Sequence, residues 1–166
     1  ILVPLDGDVF HVNVESGDAR RLMETPEYET DARVSPQGNF VSYVRDQNLY
    51  VTDLATGTER AITTEGGGLI SWGMAEFVSQ EEFGRRTGYW WSPDERYIAL
   101  TRVDEARVDN IQRFEIGNDG STNVVDQRYP RAGTDNAVVD LYIMDLQTGR
   151  MGPVEMAETD DIYLAR

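Results

Sequence analysis

Apolar and polar residues alternate with period two along most of the chain, in short runs bounded by Gly, Asp, Asn and Pro. Such runs, rich in Val, Ile, Tyr, Phe and Thr, read as half-buried antiparallel strands. The pattern predicts strands over roughly 1–5, 8–14, 18–23, 31–35, 39–46, 48–54, 58–63, 69–73, 88–92, 96–103, 110–116, 123–129, 137–146, 151–156 and 160–166. Only the stretch of roughly 75–84 reads as helix, with Gly84 as its stop.

The strand pattern repeats. Ser35-Pro36-Gln37-Gly38 precedes Phe40–Arg45, and Leu49-Tyr50-Val51-Thr52-Asp53-Leu54-Ala55-Thr56-Gly57 follows. Ser92-Pro93-Asp94-Glu95 precedes Tyr97–Arg102, and Leu141-Tyr142-Ile143-Met144-Asp145-Leu146-Gln147-Thr148-Gly149 follows. A weaker copy, Val9–Val14 and then Ser16-Gly17, opens the chain, and Asp161–Leu164 resembles the start of another unit. Four strands per repeat of about 40–50 residues define a β-propeller blade. The second copy holds about 35 additional residues at its second hairpin, where an insertion leaves blade packing intact. The expected fold is all-β, a partial propeller of about three to four four-stranded blades with one short helical insertion between two blades. Both ends read as cut within a blade, so the 166 residues are expected to be a fragment of a larger propeller domain.

Charge and composition narrow the chemistry. With 15 basic and 30 acidic residues the formal net charge is −15, which argues against a nucleic-acid partner. The absence of Cys excludes disulfides and Cys-based metal sites. His11 is the only histidine and lies in a strand pattern, where a structural role is expected. No Gly-x-Ser-x-Gly elbow occurs, and no apolar run is long enough to span a membrane as a helix. No cofactor or metal site is expected. Trp90 and Trp91 are expected in blade core and blade–blade contacts, and Gly117-Asn118-Asp119-Gly120 in a hairpin turn. Glu155, Glu158, Asp160 and Asp161 read as a solvated loop.

The segment 72–93 departs from the strand pattern and places Glu81 and Glu82 side by side. Adjacent helical positions point about 100° apart, so both carboxylates can face one cavity only near a helix end. Their mutual repulsion is offset where a cation binds. The bland alternative is a solvated pair matched by Arg85 and Arg86 at helical spacing.

The run Gln80-Glu81-Glu82-Phe83-x-Arg85-x-Thr87-Gly88-Tyr89-Trp90-Trp91-Ser92-Pro93 resembles the double-Glu segment of the dipeptidyl peptidase IV family of prolyl-oligopeptidase-type serine exopeptidases. Val103-Asp104-Glu105 fits the strand end that follows, and Tyr129-Pro130-Arg131-Ala132-Gly133-Thr134-Asp135-Asn136 resembles a second family segment. Ala137 stands where the family usually has Pro, a departure that touches loop rigidity. The resemblance implies an eight-bladed propeller over an α/β-hydrolase domain that carries a Ser-His-Asp triad outside these residues. It implies that Glu81 and Glu82 bind the free amino terminus of a peptide substrate, with Arg85 orienting one of them, so that X-Pro or X-Ala dipeptides are released. The fragment alone would then be inactive. A substrate-carbonyl Arg used by some members has no match near Val3–Asp8. A homodimeric parent, a bacterial source and export to the periplasm are further implications, with a cytoplasmic location as the alternative. A non-catalytic propeller serving as a binding or scaffold module stays open, as does a related peptidase of different cleavage length.

Overall fold

In a computed structural model that describes residues 1–22, 24–156 and 162–165, the strands assemble into three successive antiparallel blades and one projecting hairpin. Blade one is β1 (Leu2–Leu5), β2 (Asp8–Val12) and β3 (Ala19–Arg21). Blade two is β4 (Thr30–Val34), β5 (Phe40–Arg45), β6 (Asn48–Asp53) and β7 (Glu59–Ala61), paired in that order. Blade three contains β8 (Ile70–Trp72), β9 (Tyr89–Trp91), β10 (Tyr97–Asp104), β13 (Val138–Asp145) and β14 (Arg150–Val154). Its insertion forms a separate two-stranded sheet of β11 (Asn110–Ile116) and β12 (Thr122–Arg128), turned by Gly117–Gly120.

The repeats of sequence are repeats of hydrogen bonding. Ser35 Oγ accepts the Phe40 N–H at 2.9 Å, and Ser92 Oγ accepts the Tyr97 N–H at 2.8 Å. Asn13, Asp53 and Asp145 each turn their side-chain oxygen onto the next amides, forming the same Asx turn three times. Each of these turns closes on a glycine at positive φ, Gly17, Gly57 or Gly149, which a side chain would strain. Successive blades are joined alike. Arg20 donates to the Leu54 carbonyl, and Arg60, three residues past the equivalent glycine, donates to the Leu146 carbonyl. These matched contacts make the chain an arc of a propeller.

The core lies between blades. Val44, Leu49, Val51 and Ile62 of blade two pack against Trp72, Tyr89, Ile98, Leu100 and Met144 of blade three. Val9 of blade one meets Val41 and Tyr43 of blade two. Trp91 stacks on Phe40 with ring centroids 5.7 Å apart and donates to Ser42 Oγ, which bears out its blade-contact role. Trp90 differs, because it lines a cavity.

Three expectations are corrected. The helical insertion does not lie between two blades. It interrupts the first strand of blade three, because β8 and β9 run end to end along one edge of β10. Trp72 opposes Arg102, Tyr89 opposes Leu100, and Thr101 bridges the gap. The helix, α1, covers only Phe77–Glu81, because the Glu76 side chain caps it and Glu82 ends it. Residues 162–165 carry no strand, and the rest of the stretch predicted over 160–166 lies outside the described residues. Glu158, Asp160 and Asp161 of the acidic loop also lie outside them.

Candidate functional site

The 74–87 excursion leaves and rejoins the blade through a narrow neck. The Gly73 N–H donates to the Thr101 carbonyl at 2.9 Å, and the Thr101 N–H donates to Gly88 O at 2.7 Å. Gly88 N–H closes the neck onto Gly73 O at 3.1 Å. The Thr101 hydroxyl donates to Met74 O at 2.7 Å, so one residue of β10 organises both legs. A Cβ on Gly88 would sit 2.4 Å from Met74 N, Met74 O and Thr101 Oγ1, so only glycine fits.

Within the excursion, Glu76 is buried at the amino-terminal end of α1, where its carboxylate accepts the Ser79 N–H at 3.0 Å and the Ser79 hydroxyl. Gly84, at φ +65°, reverses the chain so that the Arg85 N–H reaches Ser79 O at 3.0 Å. The Arg85 guanidinium then lies inside the loop. It pairs with Glu76 at 3.4 Å and donates to Ser79 Oγ, Thr87 O and Leu164 O at 2.9, 2.6 and 2.9 Å. Its burial pulls the Arg85 pKa below the usual value, with Glu76 acting in the opposite direction. Arg85 therefore pairs with Glu76, nine residues earlier, and not with Glu81 or Glu82 at helical spacing. The physical reason is Gly84: the helix has ended before Arg85, so the i,i+3 and i,i+4 geometry does not exist.

Glu81 is the last helical residue and Glu82 its C-cap. Both are exposed, and neither carboxylate has a partner among the described residues. They stand at the end of a helix whose free carbonyls already disfavour negative charge. The residues that follow them, Phe83 and Gly84, line a cavity of about 660 Å³ that also takes in Asp31, Arg33, Arg85, Arg86 and Trp90.

Blade two supplies the far wall. Asp31 sits at φ +49°, where β4 slips register against β5 between Thr30 and Arg33. Its carboxylate holds Arg33 at 2.9 Å, and Arg33 reaches across to the Thr87 hydroxyl. The Tyr89 hydroxyl donates to the Asp31 carbonyl.

The two segments singled out in the sequence meet. Phe77 of α1 packs edge-to-face on Tyr129, with centroids 5.0 Å apart. Asn136 donates to the Tyr163 hydroxyl at 2.8 Å, and Tyr163 packs on Phe83. Sequence reasoning missed Glu76, Asp31 and Arg33. Glu76 had a local signal, a carboxylate three residues before Ser79 at a helix start. The other two had none.

A family model described as the Dipeptidyl peptidase IV (DPP IV) N-terminal region matches residues 3–166. A "Probable dipeptidyl-aminopeptidase B" of Grosmannia clavigera is 34% identical over 73% of this chain, and one of Ajellomyces capsulatus is 31% identical over 75%. The chain spans 15% of the length of each. The solved dipeptidyl peptidase 4 of Porphyromonas gingivalis shares the fold over 96% of this chain and 23% of its own, with a TM-score of 0.87 and 26% identity. Together with the blade repeats and the double-Glu excursion, these matches show that the chain belongs to the dipeptidyl peptidase IV N-terminal region family.

Proposed function

We propose that this chain is the propeller portion of a dipeptidyl peptidase IV-like serine exopeptidase, in which Glu81 and Glu82 hold the amino terminus of a peptide substrate. The observation that carries this is the pair of carboxylates at the end of α1 that have no partner among the described residues, presented by a loop whose interior is locked by Glu76 and Arg85. A peptide α-amino group has a pKa near 8 and is largely cationic at neutral pH. Two carboxylates hold it by charge-assisted hydrogen bonds. Arg85 contributes by fixing the loop, since its guanidinium is spent inside it. The reading places the nucleophile on a hydrolase domain outside these residues, at a fixed distance that sets dipeptide release.

The test uses the enzyme with its hydrolase domain and a Gly-Pro chromogenic amide. Glu81→Ala and Glu82→Ala should each cut kcat/KM by about ten-fold or more, the loss expected for a charged hydrogen bond to substrate. Near-wild-type rates in both variants would sink the assignment. Two further parts of the proposal have their own tests. The β11–β12 hairpin exposes Phe114, Ile116 and Val124, and Phe114 and Val124 stand directly opposite each other. That apolar face supports a homodimeric parent, to be measured by sedimentation with Phe114→Ser, which should shift the parent toward monomer. Periplasmic export is tested by cell fractionation.

A further inference from the structure

The cavity lined by Phe83 and Gly84, the two residues that follow Glu82 in the chain, has the opposite charge balance to the molecule that contains it. Among the described residues, Arg33, Arg85 and Arg86 line it with one carboxylate, Asp31. The groove between blades two and three balances Arg60 and Arg96 with Asp53 and Glu95. The cavity under the hairpin sets Arg128 against Glu76, Glu105 and Asp126. In a chain of net charge −15, a locally basic cavity calls for a physical account.

The three guanidinium groups are not equivalent. Arg33 is held by Asp31 and bonded to Thr87. Arg85 is consumed by Glu76, Ser79 and two carbonyls. Arg86 has no side-chain partner among the described residues, and it is exposed. Glu82 stands four residues before it, a spacing that forms ion pairs in a continuous helix. Gly84 at φ +65° breaks that helix, and the pair does not form. The result is a cation close in the chain to two carboxylates, all three without a side-chain partner among the described residues. Phe83 and Trp90 supply aromatic surface on the same cavity.

We propose that this cavity is a subsite for an acidic side chain on the first residue of the substrate, the residue whose amino group Glu81 and Glu82 hold. Arg86 takes the side-chain carboxylate, and Phe83 and Trp90 cover its aliphatic stem. A substrate beginning with Glu or Asp presents an ammonium and a carboxylate together, which complements the charges left free here. A substrate beginning with Lys would place like charge against Arg86. The inference rests on the amino-terminal anchor proposed above and assigns the chemistry of the side chain beside it.

The experiment compares Glu-Pro, Gly-Pro and Lys-Pro chromogenic amides on the full enzyme at physiological salt, where exposed charges more than about 8 Å apart are screened and only direct contact discriminates. The readout is the ratio of kcat/KM for Glu-Pro to that for Lys-Pro, which cancels any change common to both substrates. Arg86→Gln should lower this ratio by about three- to ten-fold, as expected for loss of one solvent-accessible charged contact. Arg86→Glu should lower it further and make Lys-Pro the better substrate. An unchanged ratio in both variants, with the Gly-Pro amide still hydrolysed, overturns the subsite and leaves the anchor standing. A wild-type enzyme that hydrolyses none of the three overturns the anchor and the subsite together.

Discussion

Gly88 donates its N–H to the carbonyl of Gly73 at 3.1 Å, and this bond closes the neck of the loop that carries Glu81 and Glu82. Because both glycines flank the position opposite Thr101, the loop is extruded from a strand edge whose pairing resumes in register on the far side. The geometry leaves no room for a side chain at Gly88. Gly88→Ala should therefore cost about 1–3 kcal/mol, the range for overpacking a close-packed site, because the colliding atoms include backbone of Met74. Urea denaturation measures this. A variant within about 0.5 kcal/mol of wild type would show that the neck can widen freely.

Glu76 and Arg85 form the second lock on the same loop. Their side chains are 4% and 9% exposed, so removing one partner leaves a buried charge. Arg85→Met should cost about 3–5 kcal/mol, whereas the double variant Glu76→Gln with Arg85→Met should recover a good part of that loss. A double-mutant cycle on the unfolding free energy checks it. Strictly additive losses would show that the two residues act independently.

What was legible in the sequence was what local bonding decides. Ser35 and Ser92 bond to amides five residues on, and Asp53 and Asp145 to amides two and three residues on, so their motifs repeat in sequence and in space. The strands and the hairpin insertion followed from those turns. The position of Glu81 and Glu82 at a helix end was also legible, because Gly84 marks the stop. The location of the helical insertion was not, since it depends on Trp72 and Tyr89 sharing one edge of β10 across a gap. The Asp31–Arg33–Thr87 contact was equally hidden, because it joins two blades through a register slip that no turn signal marks.

Glu95 shows what one departure between the repeats does. It occupies the turn position that Gly38 holds in blade two, and both have positive φ, +59° and +82°. A non-glycine residue there carries strain of about 1–2 kcal/mol. Glu95 offsets it by clasping the preceding blade: its carboxylate accepts the Gln37 N–H and the Asn39 side-chain amide, each at 2.7 Å. Burial pushes the Glu95 pKa up, but the bonds from Ser35, Asn39 and Gln37 outweigh it and hold the carboxyl below the usual range. The clasp is therefore fully present above the unfolded glutamate pKa of about 4.3, and it is lost as pH falls through the lower folded value. Glu95→Gln should lose about 1–2 kcal/mol at pH 7, and its deficit against wild type should shrink as pH drops below about 4. Urea midpoints of both proteins across pH 3–7 test this. Parallel profiles would remove Glu95 from the acid response.

Tyr89 ties the double-Glu loop to blade two. It is 1% exposed, and its hydroxyl donates to Asp31 O, with Ser42 O also 3.2 Å away. Asp31 lies where β4 leaves its ladder with β5, so its carbonyl depends on this phenol. Tyr89→Phe removes only the hydroxyl and should cost about 1–3 kcal/mol by leaving a buried acceptor unpaired. The effect should not stop at stability. Loosening Asp31 frees Arg33, which spans to Thr87 on the leg of the loop that ends at Gly88. The proposed anchor then has more conformations to select from, so KM of the full enzyme for a Gly-Pro amide should rise several-fold while kcat changes less. Thr87→Val cuts the same link from the other side and should move KM in the same direction. If both variants lose stability but keep the wild-type KM, blade two supports the fold without setting the position of Glu81 and Glu82.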